Sequence, residues 1–321
     1  MSLNINNNEI IVQNLLELYS NGSLKFEKDL YIYKDNKEIV TQLITNKPDV
    51  FKSTSAYMQD LKMVMLAVSG DGDNLQYAHY VFKNNKEVVL AAVKNNGNAI
   101  QYTGPNTKKD KDVIFAALEH TPNSLQYLEK EARSDFDIVL HAVRQNGLSL
   151  KYASHNLKNN KDIVLAAVNI NGNSLNFASQ NIKNDKEVIL LAVTNEPCSI
   201  QHASENLKND YSLGLKAVSG DGWAITQLSE ALQANKEIAI AAVSNQAYTL
   251  QYVSHELKND PEVVLAAVKC KKSSLRYASE KIIKEVGKND PVHYLNSYIL
   301  NQKLQMTVPN KPQETTKKKK I

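Results

Sequence analysis

The most reactive side chains in this sequence are few and scattered. Seven histidines (His79, His120, His141, His155, His202, His255, His293) and two cysteines (Cys198, Cys270) supply all its imidazole and thiol. A zinc site gathers three or four such ligands at close spacing. No two histidines here stand at that spacing with a cysteine or a carboxylate. Ser-Gly-Asp-Gly occurs at 69–72 and again at 219–222. Glycines in such a run could cradle a phosphate or a calcium ion, yet neither the full G-x-G-x-x-G nor the EF-hand pattern is present. A glycine turn whose Asp caps a helix is the expected role. No catalytic residue, metal site or cofactor is expected.

Two recurring columns are better candidates, because like groups at one interval build a ladder. Cations stand at Lys83, Lys108, Arg133, Lys158, Lys183, Lys208 and Lys258, all separated by multiples of 25 residues. Such a row could follow an anionic polymer or an acidic partner. Recurring Asp and Glu share the same edge, so a solvated edge of mixed charge is expected. Tyrosines form the second column at Tyr77, Tyr102, Tyr127, Tyr152, Tyr252 and Tyr277, with Phe177 in line. Gln76, Gln101, Gln126, Gln201 and Gln251 precede column positions. Glutamine plus an aromatic in each unit is how some repeat proteins read one base per unit. A tyrosine filling the seam between units, hydroxyl at the edge, is the simpler expectation. These thirteen cations and tyrosines are the candidate partner-binding residues.

Charge bears on the choice of partner. The formal net charge is +4, and Lys317–Lys320 at the chain end supply four positives, so residues 1–316 balance. A neutral body lacks the broad basic footprint of a duplex-DNA binder. The terminal lysines can touch anionic lipid or nucleic acid, or only keep the tail soluble. No apolar run reaches membrane-spanning length, so no integral membrane contact is expected. The first residues lack the basic and apolar regions of a secretory signal. Sparse thiols fit a reducing, cytoplasmic setting.

The interval between columns reveals the elements that position them. Nine units of 25 residues start at Asp60, Asn85, Asp110, Asp135, Asn160, Asp185, Asp210, Asn235 and Asp260, with no insertion or deletion. A fixed period in this range is the signature of a repeat array. The predicted fold is all-α, an α-solenoid of nine two-helix repeats over residues 60–284. Position one of each unit is Asp or Asn, a helix N-cap. Positions four to nine are nearly all apolar and position eight is always alanine, predicting a first helix with one very close contact. Gly or Pro at position thirteen breaks it in seven units. Apolar positions sixteen, nineteen and twenty-three then read as one face of a second helix. Residues 1–59 are expected to form an N-terminal helical cap. It holds an amphipathic helix over 8–20 with Ile10, Ile11, Leu15 and Leu18 on or near one face, and a worn repeat from Asn36 that loses the pattern after Pro48. Residues 285–304 should close the array as a capping helix, and 305–321 should be a disordered basic tail.

The phrases at 85–102 (NKEVVLAAVKNNGNAIQY), 160–179 (NKDIVLAAVNINGNSLNFAS) and 260–279 (DPEVVLAAVKCKKSSLRYAS) resemble the domain-of-unknown-function family numbered 4116. The resemblance covers residues 60–284 and implies an all-helical array, in a family with no established activity and no catalytic residue to carry over. Some members occur as suspected secreted effectors, which implies delivery to a host cytosol if the source is bacterial. The function expected is therefore a non-catalytic protein–protein interaction scaffold. The alternative is a nucleic-acid or polyanion binder using the lysine row, the Gln–Tyr columns and the tail.

Overall fold

The computed structural model describes residues 7–21 and 31–307. The expectations for residues 308–321, with Lys317–Lys320, lie outside the described residues. Among those described, every regular element is helical and no strand occurs. The chain is an all-α repeat solenoid, and its contacts divide it into two compact bodies, residues 1–182 and 183–321.

Each repeat starts at its cap. In all nine, the position-one Asp or Asn accepts the amide hydrogen of position four, at 3.0–3.4 Å. That satisfies one of the first turn's free donors. A ten-residue α-helix follows over positions two to eleven, as in Lys86–Asn95 and Lys161–Ile170. Positions four, five, eight and nine form its buried stripe, and the invariant alanines are at most 1% exposed.

The second half of the repeat is not the single helix read from the sequence. Positions thirteen to eighteen form a 3₁₀ segment, as in Gly97–Tyr102 and Gly172–Phe177. It closes when the position-nineteen amide donates to the position-sixteen carbonyl, 3.1 Å for Ala178 to Leu175. Positions nineteen and twenty are extended (Ala153 ψ 156°, Ser154 ψ 160°), and one more turn follows, His155–Lys158 in the fourth repeat. Two causes are visible. Positions sixteen and nineteen, each buried in eight of the nine repeats, stand three residues apart, which is the 3₁₀ period. The position-twenty amide is also needed by a neighbour: it donates to the position-twenty-four carbonyl of the preceding repeat. Examples are Gly104 to Lys83 (2.7 Å), Ser154 to Arg133 (2.8 Å) and Ser279 to Lys258 (2.8 Å).

Side chains repeat the same logic. The position-twenty Ser hydroxyl donates to the position-twenty-five Asn of the preceding repeat: Ser179 to Asn159 at 2.5 Å, Ser229 to Asn209 at 2.6 Å, Ser279 to Asn259 at 2.7 Å. In two places one partner is missing and the other is left over. Asn84 faces Gly104, and its buried Oδ1 has no donor; Ser154 faces Ser134, and its buried hydroxyl has no partner. Position-two lysines reach the position-one Asp of the next repeat, as in Lys111–Asp135 (3.0 Å) and Lys236–Asp260 (2.7 Å). Glycine at position thirteen serves close approach as well as helix breaking. A Cβ on Gly97 would fall 2.1 Å from the Ala117 carbonyl oxygen of the next repeat.

The ends reuse these parts. Asn36 caps the helix Lys37–Asn46, the 3₁₀ segments Pro48–Ser53 and Ser55–Tyr57 follow, and Lys37 pairs with Asp60 at 2.7 Å. Pro48 thus opens a 3₁₀ segment as Pro122 does, and the pattern continues beyond it. The helix Asn7–Ser20 buries Val12 and Leu15 against Ile39, Leu43 and Val50, with Ile11 and Leu16 beside them. Ile10 and Leu18, grouped with the apolar face from the sequence, are exposed. At the other end, Glu280–Val286 is followed by Gly287 at φ 54°. Asp290 then accepts from the Val292 and His293 amides and pairs with Lys272. The last helix, Pro291–Thr307, packs on Pro261–Cys270. It begins after 285 and runs past Leu304, so residues 305–307 belong to the helix, not to the tail.

Candidate partner-binding surface

Caps, buried stripes and inter-repeat bonds occupy most positions of the unit. The outward side of the 3₁₀ segment, positions fourteen, seventeen and eighteen, carries the remaining chemistry. The tyrosine column is position eighteen. Tyr77, Tyr102, Tyr127, Tyr152 and Tyr277 are half-buried and Tyr252 is exposed. Partial burial, with Asp73, Tyr127 and Tyr77 nearby, holds the Tyr102 hydroxyl above its ordinary value. Lys151 lies 5.6 Å from the Tyr152 ring centre.

The cation row ends the short turn at position twenty-four. Lys83, Lys108, Arg133 and Lys158 lie in the first body and Lys183, Lys208 and Lys258 in the second, all half-buried. Lys83 Nζ donates to the Gln76 carbonyl at 2.7 Å. Burial lowers the affinity of Lys83, Lys158 and Lys183 for their protons, and for Lys158 the adjacent Arg133 adds to it. His202, in the tyrosine column, is lowered by burial and by Lys183 and Lys208. Several acids of positions one and three are taken by position-two lysines, as Lys86 takes Asp110 (2.9 Å) and Asp112 (2.6 Å). Within the row, Lys208 has a carboxylate partner, Glu205, at 2.9 Å.

The structure adds residues that the sequence reading passed over. In the second body, position fourteen of one repeat meets position eighteen of the next. Trp223 and Tyr252 lie edge-on at 5.7 Å between ring centres, and Tyr248 and Tyr277 at 5.9 Å. Lys271 stands over the Tyr248 ring and Arg276 over those of Tyr248 and Tyr277. A signal was present, since position fourteen changes from Asn or Asp to Trp223 and Tyr248. Its partner column lies in a different repeat, which a single-helix reading hides.

The Ser-Gly-Asp-Gly turns are committed to the frame. Asp71 and Asp221 cap their 3₁₀ segments, and the Gly72 and Gly222 amides donate to Asn95 and Asn245 of the next repeat, at 2.8 and 3.1 Å. A cleft of about 680 Å³ in the second body is lined by Glu262, Leu265, Lys269, Cys270, Asn296 and Lys303. Its carboxylate is bound to Lys236 at 2.8 Å and Lys303 at 3.1 Å. Cys198 contacts Asp221, and burial followed by that carboxylate pushes its thiol up to about 11. Among the described residues, no group of three or more His, Cys, Asp or Glu is arranged to hold a metal ion, and no helix is long and apolar enough to cross a membrane.

No curated protein and no solved structure matches this chain. One family's sequence model does, six times, at residues 60–108, 92–131, 110–158, 135–183, 185–233 and 235–283. Those matches span most of the chain and follow the repeats just described, so the chain belongs to the family described as domain of unknown function (DUF4116).

Proposed function

We propose that this chain is a non-catalytic scaffold that binds another protein along the outward side of its 3₁₀ segments. One observation carries the reading: chemistry varies at an outward position while the frame beneath is kept. Position eight is alanine nine times, yet position fourteen is Asp73, Leu148, Cys198, Trp223 or Ser273 in different repeats. A frame that repeats and an outer residue that does not is the arrangement by which repeat arrays distinguish partners. The sparse thiols support a cytoplasmic setting, which for a secreted bacterial effector is the host cytosol.

The test exchanges Leu148 and Trp223 for Asn, the amide found at this position in other repeats, and compares capture from native extract. A protein partner that survives nuclease treatment and is lost on the exchange is the expected result. Capture that depends on nucleic acid, or is indifferent to the exchange, refutes the reading. A second reading, polyanion binding along the cation row, is supported by Arg133 standing near enough to Lys158 for its charge to lower that lysine's hold on its proton. Its signature is RNA binding that falls steeply with salt.

A further inference from the structure

This inference rests on the scaffold reading and names a site and a partner chemistry for it. On the 3₁₀ segments of repeats seven to nine, Trp223 and Tyr252 remain 37% and 41% exposed. Lys271 Nζ lies 4.7 Å from the Tyr248 ring centre, and the Arg276 guanidinium carbon lies 5.2 Å from that ring and 4.7 Å from Tyr277. Arg276 Nη2 also donates to the Tyr277 hydroxyl at 2.8 Å, and Tyr248 Oη shares a hydrogen bond with Ser273 Oγ at 3.0 Å. Both cations are exposed. Nearby Lys272 and Lys236 are matched to Asp290 and Asp260, but among the described residues no carboxylate pairs with Lys271 or Arg276.

Tryptophan, tyrosine and arginine are the residue types that carry most energy in protein interfaces. Stacking on tyrosines fixes a guanidinium while leaving its remaining N–H groups available. A guanidinium so held loses little freedom when it meets a carboxylate. The local field agrees: Ser273, then Lys271 and Arg276, hold the Tyr248 hydroxyl below its usual value. Single-stranded nucleic acid fits less well, since it needs open ring faces and those of Tyr248 and Tyr277 carry cations. We propose that Trp223, Tyr248, Tyr252, Tyr277, Lys271 and Arg276 dock an acidic segment of a partner protein. Its carboxylates meet Arg276 and Lys271, and an apolar side chain lies against Trp223 and Tyr252.

Trp223 is the sole tryptophan of the chain, so its emission reports binding at the site itself. The full chain is titrated with a short tryptophan-free peptide alternating Glu and Phe. The expected result is a saturable emission change, weakened about tenfold in Arg276→Gln and in Lys271→Gln. Replacing the peptide's Glu by Gln should abolish it, and unchanged melting of both variants confirms that they fold. No emission change, or equal affinity in Arg276→Gln, overturns the proposal. A uridine oligonucleotide that displaces the peptide and binds more tightly overturns it in favour of nucleic acid. Should the peptide fail while the native partner is still lost on the Leu148 and Trp223 exchange, this inference falls and the scaffold reading stands. Should partner capture also fail, both fall.

Discussion

Replacing Ser134 by Asn should stabilise the protein, because one link of a recurring tie is missing at that point. In four places a position-twenty Ser hydroxyl donates to the Asn that ends the preceding repeat, at 2.5–2.7 Å. Ser154 has no such acceptor: residue 134 is an exposed Ser, and the Ser154 hydroxyl is buried without a partner. The backbone around residue 134 is suited to the change. Ala132–Ser134 is a 3₁₀ turn, and so is Ile182–Asn184, whose Asn184 does receive the Ser204 hydroxyl at 2.7 Å. A buried hydroxyl left unpaired costs about 1–3 kcal/mol, and a hydrogen bond formed returns about 0.5–1.5 kcal/mol net. Ordering the new Asn side chain offsets part of this. The expected gain is about 1 kcal/mol, or a rise in Tm of about 2–4 °C for a body of this size. Urea and thermal unfolding followed by far-ultraviolet circular dichroism read it, with Ser134→Ala as the control that adds no acceptor. A double-mutant cycle with Ser154→Ala decides the mechanism. The gain must vanish when the hydroxyl is gone. If Ser134→Asn is neutral, or stabilises equally without the Ser154 hydroxyl, the tie is not what joins these repeats.

Three further outcomes are expected. Ala167, fully buried at position eight, has no room for a larger side chain, so Ala167→Leu should cost about 1–3 kcal/mol; an unchanged thermal melt refutes the close packing. Acid should destabilise the protein through its position-one carboxylates. Lys37 and Lys86 hold Asp60 and Asp110 low; burial raises Asp135 and Asp210, but Lys111 and Lys186, together with the first-turn amides and, at Asp210, the Ser212 hydroxyl, outweigh it and bring Asp210 to about 2. Folded values below the unfolded 3.8 mean stability that is present above that pH and lost as pH falls toward about 2. Urea midpoints that rise between about pH 4 and pH 2 would contradict this. Finally, iodoacetamide at mildly alkaline pH should label exposed Cys270 well before Cys198, whose thiol is held near 11, as peptide mass mapping will read; equal rates would show that the Asp221 contact does not protect it.

How much of this could be read in advance follows the range of each interaction. The caps at position one were legible because an Asp or Asn and the amide it receives lie three residues apart. The buried alanines were legible because a helical stripe has a local period. Val12 was missed in favour of Ile10 and Leu18 because several apolar residues in that helix allow more than one face, and only the packing against Ile39 and Leu43 selects it. The break in the second helix was missed because spacing of seven between positions sixteen and twenty-three suits an α-helix, whereas the amide of position twenty is claimed by the preceding repeat. The columns at Lys83 to Lys258 and Tyr77 to Tyr277 were visible as spacing. Their neighbours were not.

The sequence by itself determined that the fold is helical, the period of 25, the place of each first helix and the repeat family, since all of these rest on contacts within one unit or on recurrence. Only the tertiary structure decided which side chains of successive repeats meet. Trp223 finds Tyr252, Arg276 finds Tyr248, and Lys86 finds Asp110 and Asp112. The physical reason is register. How far one repeat is displaced and turned against the next is set by backbone bonds such as Ser279 to Lys258 and by the close approach of Gly97 to Ala117, and a string of residues carries no direct record of that displacement.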